Sequence, residues 1–78
     1  MDAMHCLQKN IRLLLRARGM TQRQLADACD IAAPNLNRIL NGGERVTIDR
    51  ADRIARAFGI SLSDLLDENL EKMLALTA

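Results

Sequence analysis

The sequence predicts a small all-α fold of five helices with no sheet, and three observations carry that reading. Apolar residues recur at intervals of three and four along the 78-residue chain, which is the spacing of a helix face. Helix punctuation brackets those runs: the hydroxyls of Thr21, Thr47 and Ser61 precede them, and Gly19, Gly42 and Gly59 follow. The length suits one domain with one core, which leaves a small margin of stability.

The first helix is expected from about His5 to Ala17, after a loose start. Met4, Leu7, Ile11 and Leu14 form its buried stripe, and Gly19 stops it. Lys9, Arg12, Arg16 and Arg18 lie on other faces, and Leu13 and Leu15 fall outside the stripe. Thr21 and Gln24 fit a capping box at the start of the second helix. Leu25 gives that helix an apolar edge, and the small Ala26 admits a close neighbour. Cys29-Asp30-Ile31 interrupts the pattern, and Asp tolerates the left-handed backbone that a tight turn needs. Pro34 suits the first turn of a third helix, with Leu36, Ile39 and Leu40 inward and Asn41-Gly42 at its end. Thr47 caps a fourth, reaching about Phe58, with Ile48, Ala51, Ile54, Ala55 and Phe58 facing the core. Ser61 caps the fifth, and Asp64 favours its first turn through the helix dipole. No Gly or Pro follows, so this helix is expected to run on to about Leu74. The expected core is Leu7, Ile11, Leu14, Leu25, Ala26, Cys29, Ile31, Leu36, Ile39, Ile48, Ile54, Ala55, Phe58, Leu62 and Leu65.

Composition is ordinary for a soluble globular chain, at 49% hydrophobic and 27% charged. The one aromatic, Phe58, argues against a platform that stacks single-stranded bases. The net charge of +1 hides an asymmetry. Residues 1–63 hold ten Lys/Arg against six Asp/Glu, whereas residues 64–78 hold Lys72 against Asp64, Asp67, Glu68 and Glu71. Cys6 and Cys29 lack metal-ligand spacing, and no signal-peptide core or membrane-length run occurs, as in a cytosolic chain with reduced thiols. His5 beside Cys6 has no partner spaced for a metal or a nucleophile. No carboxylate pair, triad or phosphate loop appears. The reading is therefore a non-enzyme that requires no cofactor and no metal.

Two short helices joined by a tight turn, Met20 to Asn41, form a helix-turn-helix. Gln22, Leu25, Ala26, Ile31, Leu36, Ile39 and Asn41-Gly42 carry a resemblance to the lambda-repressor-like (Cro-like, Xre-type) DNA-binding family. It continues through Thr47-Ile48-Asp49, Ile54 to Ser61 and Asp64-Leu65-Leu66, and so covers Leu7 to Leu66. The chain departs from the family at Asp30, where Gly is usual, and at Ala32, where Ser or Thr usually caps the next helix. Leu15 and Leu40 stand where the family often places a basic residue and its acidic partner, which reads here as an apolar contact.

The resemblance implies a five-helix lambda-repressor-like domain that binds double-stranded DNA through its second and third helices. Gln22 and Arg23, at the start of the second helix, would meet phosphate. Ala33, Pro34, Asn37 and Arg38 would face base edges in the major groove. Ala33 and Pro34 can only pack, on a thymine methyl for example, whereas Arg38 can grip guanine. The alternative for Arg38 is an ordinary exposed cation or an ion pair with Asp30 or Glu44. Asn35, Asn41, Gly43 and Arg45 complete the phosphate-contacting set. Arg50, Arg53 and Arg56 alternate with Asp49 and Asp52 and read as a solvated, internally paired face.

The expected organisation is a DNA-binding domain over residues 1–67 and a C-terminal helical extension over 68–78. One helix-turn-helix touches few base pairs, and the family's usual answer is a two-fold dimer reading two half-sites. Leu66, Leu70, Met73 and Leu74 exceed what so small a core absorbs, and they are expected to form the dimer interface. The competing arrangement folds the segment back over Leu13 and Leu15. The expected function is a cytoplasmic, sequence-specific regulator of transcription, in the repressor mode. The alternative is an antitoxin or interaction module that binds another protein through the C-terminal helix.

Overall fold

The computed structural model describes residues 2–77, and side chains through residue 76. Among them every regular element is a helix: α1 Ala3–Arg18, α2 Gln22–Cys29, α3 Ala33–Leu40, α4 Ile48–Ala57, α5 Leu62–Leu65 and α6 Leu70–Thr77. There are six helices where the sequence suggested five.

Local chemistry sets most of the boundaries. Asp2 accepts from the His5 N–H at 2.7 Å and starts α1 two residues earlier than its apolar stripe suggests. Gly19 closes α1 in the left-handed region, φ 59°. Both halves of the capping box form at α2. Thr21 Oγ1 accepts from Gln24 N–H at 3.1 Å, and the Gln24 side chain accepts from Thr21 N–H at 2.9 Å. Asp30 takes the left-handed turn at φ 57°. α3 begins with Pro in its first turn but with no side-chain cap, since Ala32 has no oxygen to offer. Thr47 and Ser61 cap α4 and α5 at 3.2 and 3.0 Å.

The core lies where α1 packs on α3, α5 and α6 while α2 packs on α3 and α4. Leu7, Ile11, Leu14, Leu25, Leu36, Ile39, Ile54, Phe58 and Leu65 are all sealed from solvent. Leu15 and Leu40 also join the buried set.

Four expectations are corrected. The fifth helix does not continue to Leu74; it stops after Leu65. The Asn10 side chain, itself only 1% exposed, donates to Leu65 O at 2.7 Å and Asp67 O at 2.8 Å. The Leu65 carbonyl is thereby diverted from a continuing helix, while Asp67 O also accepts from Leu70 N–H at the start of α6. Asp67 Oδ1 then accepts from Asn69 N–H at 2.8 Å, and α6 starts afresh. Second, Leu70 is not a free apolar residue: it is 3% exposed and packs into the core of its own chain, as α6 folds back on α1. Met73 and Leu74 pack half-buried beside it. Third, Ile48 is 77% exposed. It keeps the spacing of α4's inner face, but it is the first residue of the helix and projects past the core's edge. Fourth, Leu62 is half-buried rather than buried.

Candidate nucleic-acid interface

The turn from α2 to α3 brings the polar residues of both helices together. Gln22 opens α2, directly after the Thr21 cap, and its Oε1 accepts from Asn37 Nδ2 at 3.4 Å. Asn37 Oδ1 accepts from Asn41 Nδ2 at 3.0 Å, one helical turn on. Asn41 Oδ1 in turn accepts from the Arg12 guanidinium of α1 at 2.9 Å. A continuous string of amides thus runs from the start of α2 along α3 and ends on a cation of α1.

The second polar cluster is centred on Arg38, whose side chain is 56% exposed. Its guanidinium donates to Asn35 Oδ1, and its Nε lies 3.6 Å from Glu44 Oε2. Glu44 also faces Arg50 at 3.8 Å. Of the two readings of Arg38 as an ion-pair partner, the Glu44 pair forms in the free chain, and the guanidinium still reaches solvent. Ala33 and Pro34 are exposed at the start of the same helix, as are Arg23 and Arg45 at the flanks. Gly43 differs from its expected role: its N–H donates to Arg38 O at 2.8 Å, so the amide is already engaged.

Sequence reasoning did not find Gln8, Arg12 or the bridging position of Glu44 between two arginines. Gln8 Nε2 donates to Ile39 O at 2.9 Å and Arg12 donates to Leu40 O at 3.0 Å. Both occupy carbonyls at the open end of α3, where a helix lacks partners of its own and favours cations. The only prior signal was that the two lie four apart on α1, which says nothing about a helix nearly thirty residues away.

No group of three or more metal-ligating side chains assembles among the described residues. No helix among them is long and apolar enough to cross a membrane.

Two short helices packed through a left-handed Asp turn, the second carrying an exposed polar face, define a helix-turn-helix DNA-binding domain. Residues 10–74 match the Cro/C1-type HTH DNA-binding domain, and the chain belongs to that family. It is 33% identical over 60 residues to the Control protein C.BamHI of Bacillus amyloliquefaciens, a match covering 77% of this chain and 74% of that protein. The fold is similar to the crystal structure of the clp gene regulator ClgR from Corynebacterium glutamicum, with a TM-score of 0.79 and 25% identity. That likeness covers 99% of this chain and 81% of the other. Its function is DNA binding in the regulation of transcription.

Proposed function

We propose that the chain is a cytoplasmic repressor that binds two half-sites of double-stranded DNA as a homodimer and acts by occupancy rather than catalysis. The observation that carries this is the ordered polar face of α3, with Arg38 held at its centre by Asn35 and Glu44. Holding a guanidinium before contact lowers the entropy lost when it grips a guanine. Asn37 reads beside Arg38, and Ala33 and Pro34 pack on the bases. Gln22, Arg23, Asn35, Asn41 and Arg45 position the chain on phosphates, which fix register without reading sequence. Gly43 shapes the loop through its bond to Arg38 O.

The dimer contact in this reading shifts from the α6 residues to an apolar groove. Leu66 lines it with Met4, Val46, Ile48 and Leu62. An exposed isoleucine beside half-buried leucines is the kind of patch that marks an interface. Leu70 is already spent inside the chain.

Selection of bound duplexes from a random pool, at fixed salt, tests the proposal. The expected product is a two-fold symmetric site with half-sites about one DNA turn apart. A pool that shows no enrichment overturns it.

A further inference from the structure

The string of amides on α3 ends on Arg12, and Arg12 belongs to a second charged surface. His5, Lys9, Arg12 and Arg16 lie along one side of α1, at spacings of three and four residues. With Gln8, Leu13 and Leu40 they line a shallow groove between α1 and the end of α3. No acidic side chain lines it. Among the described residues neither Lys9 nor Arg16 has an acidic partner, whereas Arg38, Arg50 and Arg56 all do. Three fixed positive charges are thus gathered on one helix face without internal compensation, at the edge of the polar face described above.

We propose that this α1 groove is a second binding site for DNA, and that it takes phosphates flanking the base pairs read by α3. The inference rests on the DNA-binding reading and extends it to a surface outside the helix-turn-helix. Two observations choose the occupant. Charge complementarity requires a polyanion, because like charges held in one groove repel until an anion neutralises them. Continuity supplies the polyanion: Arg12 bonds Asn41 at the end of α3, so a backbone lying against Asn41 reaches the groove next. Arg12 is engaged at Leu40 O and Asn41, and acts as the hinge between the two surfaces. Lys9 and Arg16 are the groove's available cations. Neither reads a base, so the groove adds affinity and not preference.

The test uses the full chain and the double substitution Lys9→Gln with Arg16→Gln, both at positions outside the polar face of α2 and α3. Binding is measured against salt on two duplexes. One ends at the selected site, and the other carries flanks of about one further DNA turn on each side. Each neutralised phosphate contributes about 0.9 to the slope of log affinity against log salt. On the flanked duplex the slope of the variant is expected to fall by about 1.8 per chain relative to wild type. On the short duplex the two proteins should agree, and base preference should be unchanged on both. An unchanged slope on the flanked duplex overturns the groove and leaves the DNA-binding reading intact. So does an equal loss on both duplexes. A wild-type chain that binds neither duplex overturns both proposals.

Discussion

Arg38→Ala removes the guanidinium that Asn35 and Glu44 hold on α3. It is expected to cost about 1–3 kcal/mol on the preferred duplex and to relax preference at one base pair. Gln22→Ala and Arg45→Ala should instead weaken all sequences alike, and losing Arg45 should reduce the salt slope by about one. Titrations of specific and random duplexes separate the two behaviours; an equal loss for Arg38→Ala on both would refute its reading role. Asn10 bears on stability instead. Asn10→Ala leaves the buried Leu65 carbonyl without its donor and leaves Asp67 O with the Leu70 N–H alone, and should cost about 1–3 kcal/mol, read by urea denaturation. Cys29 sets a pH dependence. Burial pushes its thiol above the ordinary range, so the folded chain holds the proton to higher pH than the unfolded chain. The stability this contributes is whole below the unfolded thiol's range and drains as pH climbs through the folded value. As pH rises above the unfolded thiol's range, about 8.5, the wild type should therefore lose more stability than Cys29→Ala. Roles like that of Asn10 were not legible in the sequence, because an amide can donate to any carbonyl and this one chose partners 55 and 57 residues away.

At the scale of the element, legibility follows the distance over which a boundary is decided. The Thr21 capping box, the Asp30 turn and the Gly19 stop are settled within four residues, and each forms as its residues suggest. The division between α5 and α6 joins a distant bond from Asn10 to a local one, Asn69 N–H to Asp67 Oδ1, and no Gly or Pro marks it between Leu62 and Leu74. Ile48 shows the complementary failure: periodicity assigns a helix face but not where the core beside that face ends. α3 offers the clearest test. Its Ncap, Ala32, sits at φ −60° and ψ 135°, a conformation suited to capping, yet it makes no side-chain bond. Pro34 has no N–H, and Asn35 N–H already donates to Ala32 O at 2.9 Å. A hydroxyl from Ala32→Ser can therefore only share that donor and should stabilise the chain by about 0.5 kcal/mol, the low end of a capping bond. A thermal midpoint that stays in place would show that the first N–H groups of α3 are already satisfied. A gain in stability without a change in base preference would confine Ala32 to a structural role.

At the scale of the whole molecule, the C-terminal segment has two possible jobs, and they predict different losses. The segment's excess of apolar residues was legible in the sequence; its destination was not, because a helix face that is apolar suits its own core and a mate equally. Leu70 is buried in the core and α6 packs on α1, so ending the chain at Asp67 uncovers part of the core rather than merely freeing an interface. Leu70→Ala alone should cost about 2–5 kcal/mol, a large share of what a domain this small possesses. The truncated chain is expected to unfold at the temperature where the full chain stays folded. Ile48 makes the opposite case. It is exposed in the single chain, so Ile48→Asp removes nothing from the core and places a charge in the groove with Leu62 and Leu66. If two chains pair through that groove, two such charges meet in a desolvated contact, and the dimer should dissociate with helicity unchanged. Sedimentation at micromolar concentration, alongside circular dichroism, reads both properties. A wild-type dimer that becomes a folded monomer on Ile48→Asp places the contact at the groove. A dimer that survives that substitution and disappears only when Met73 and Leu74 are changed to Ala assigns it to α6 instead.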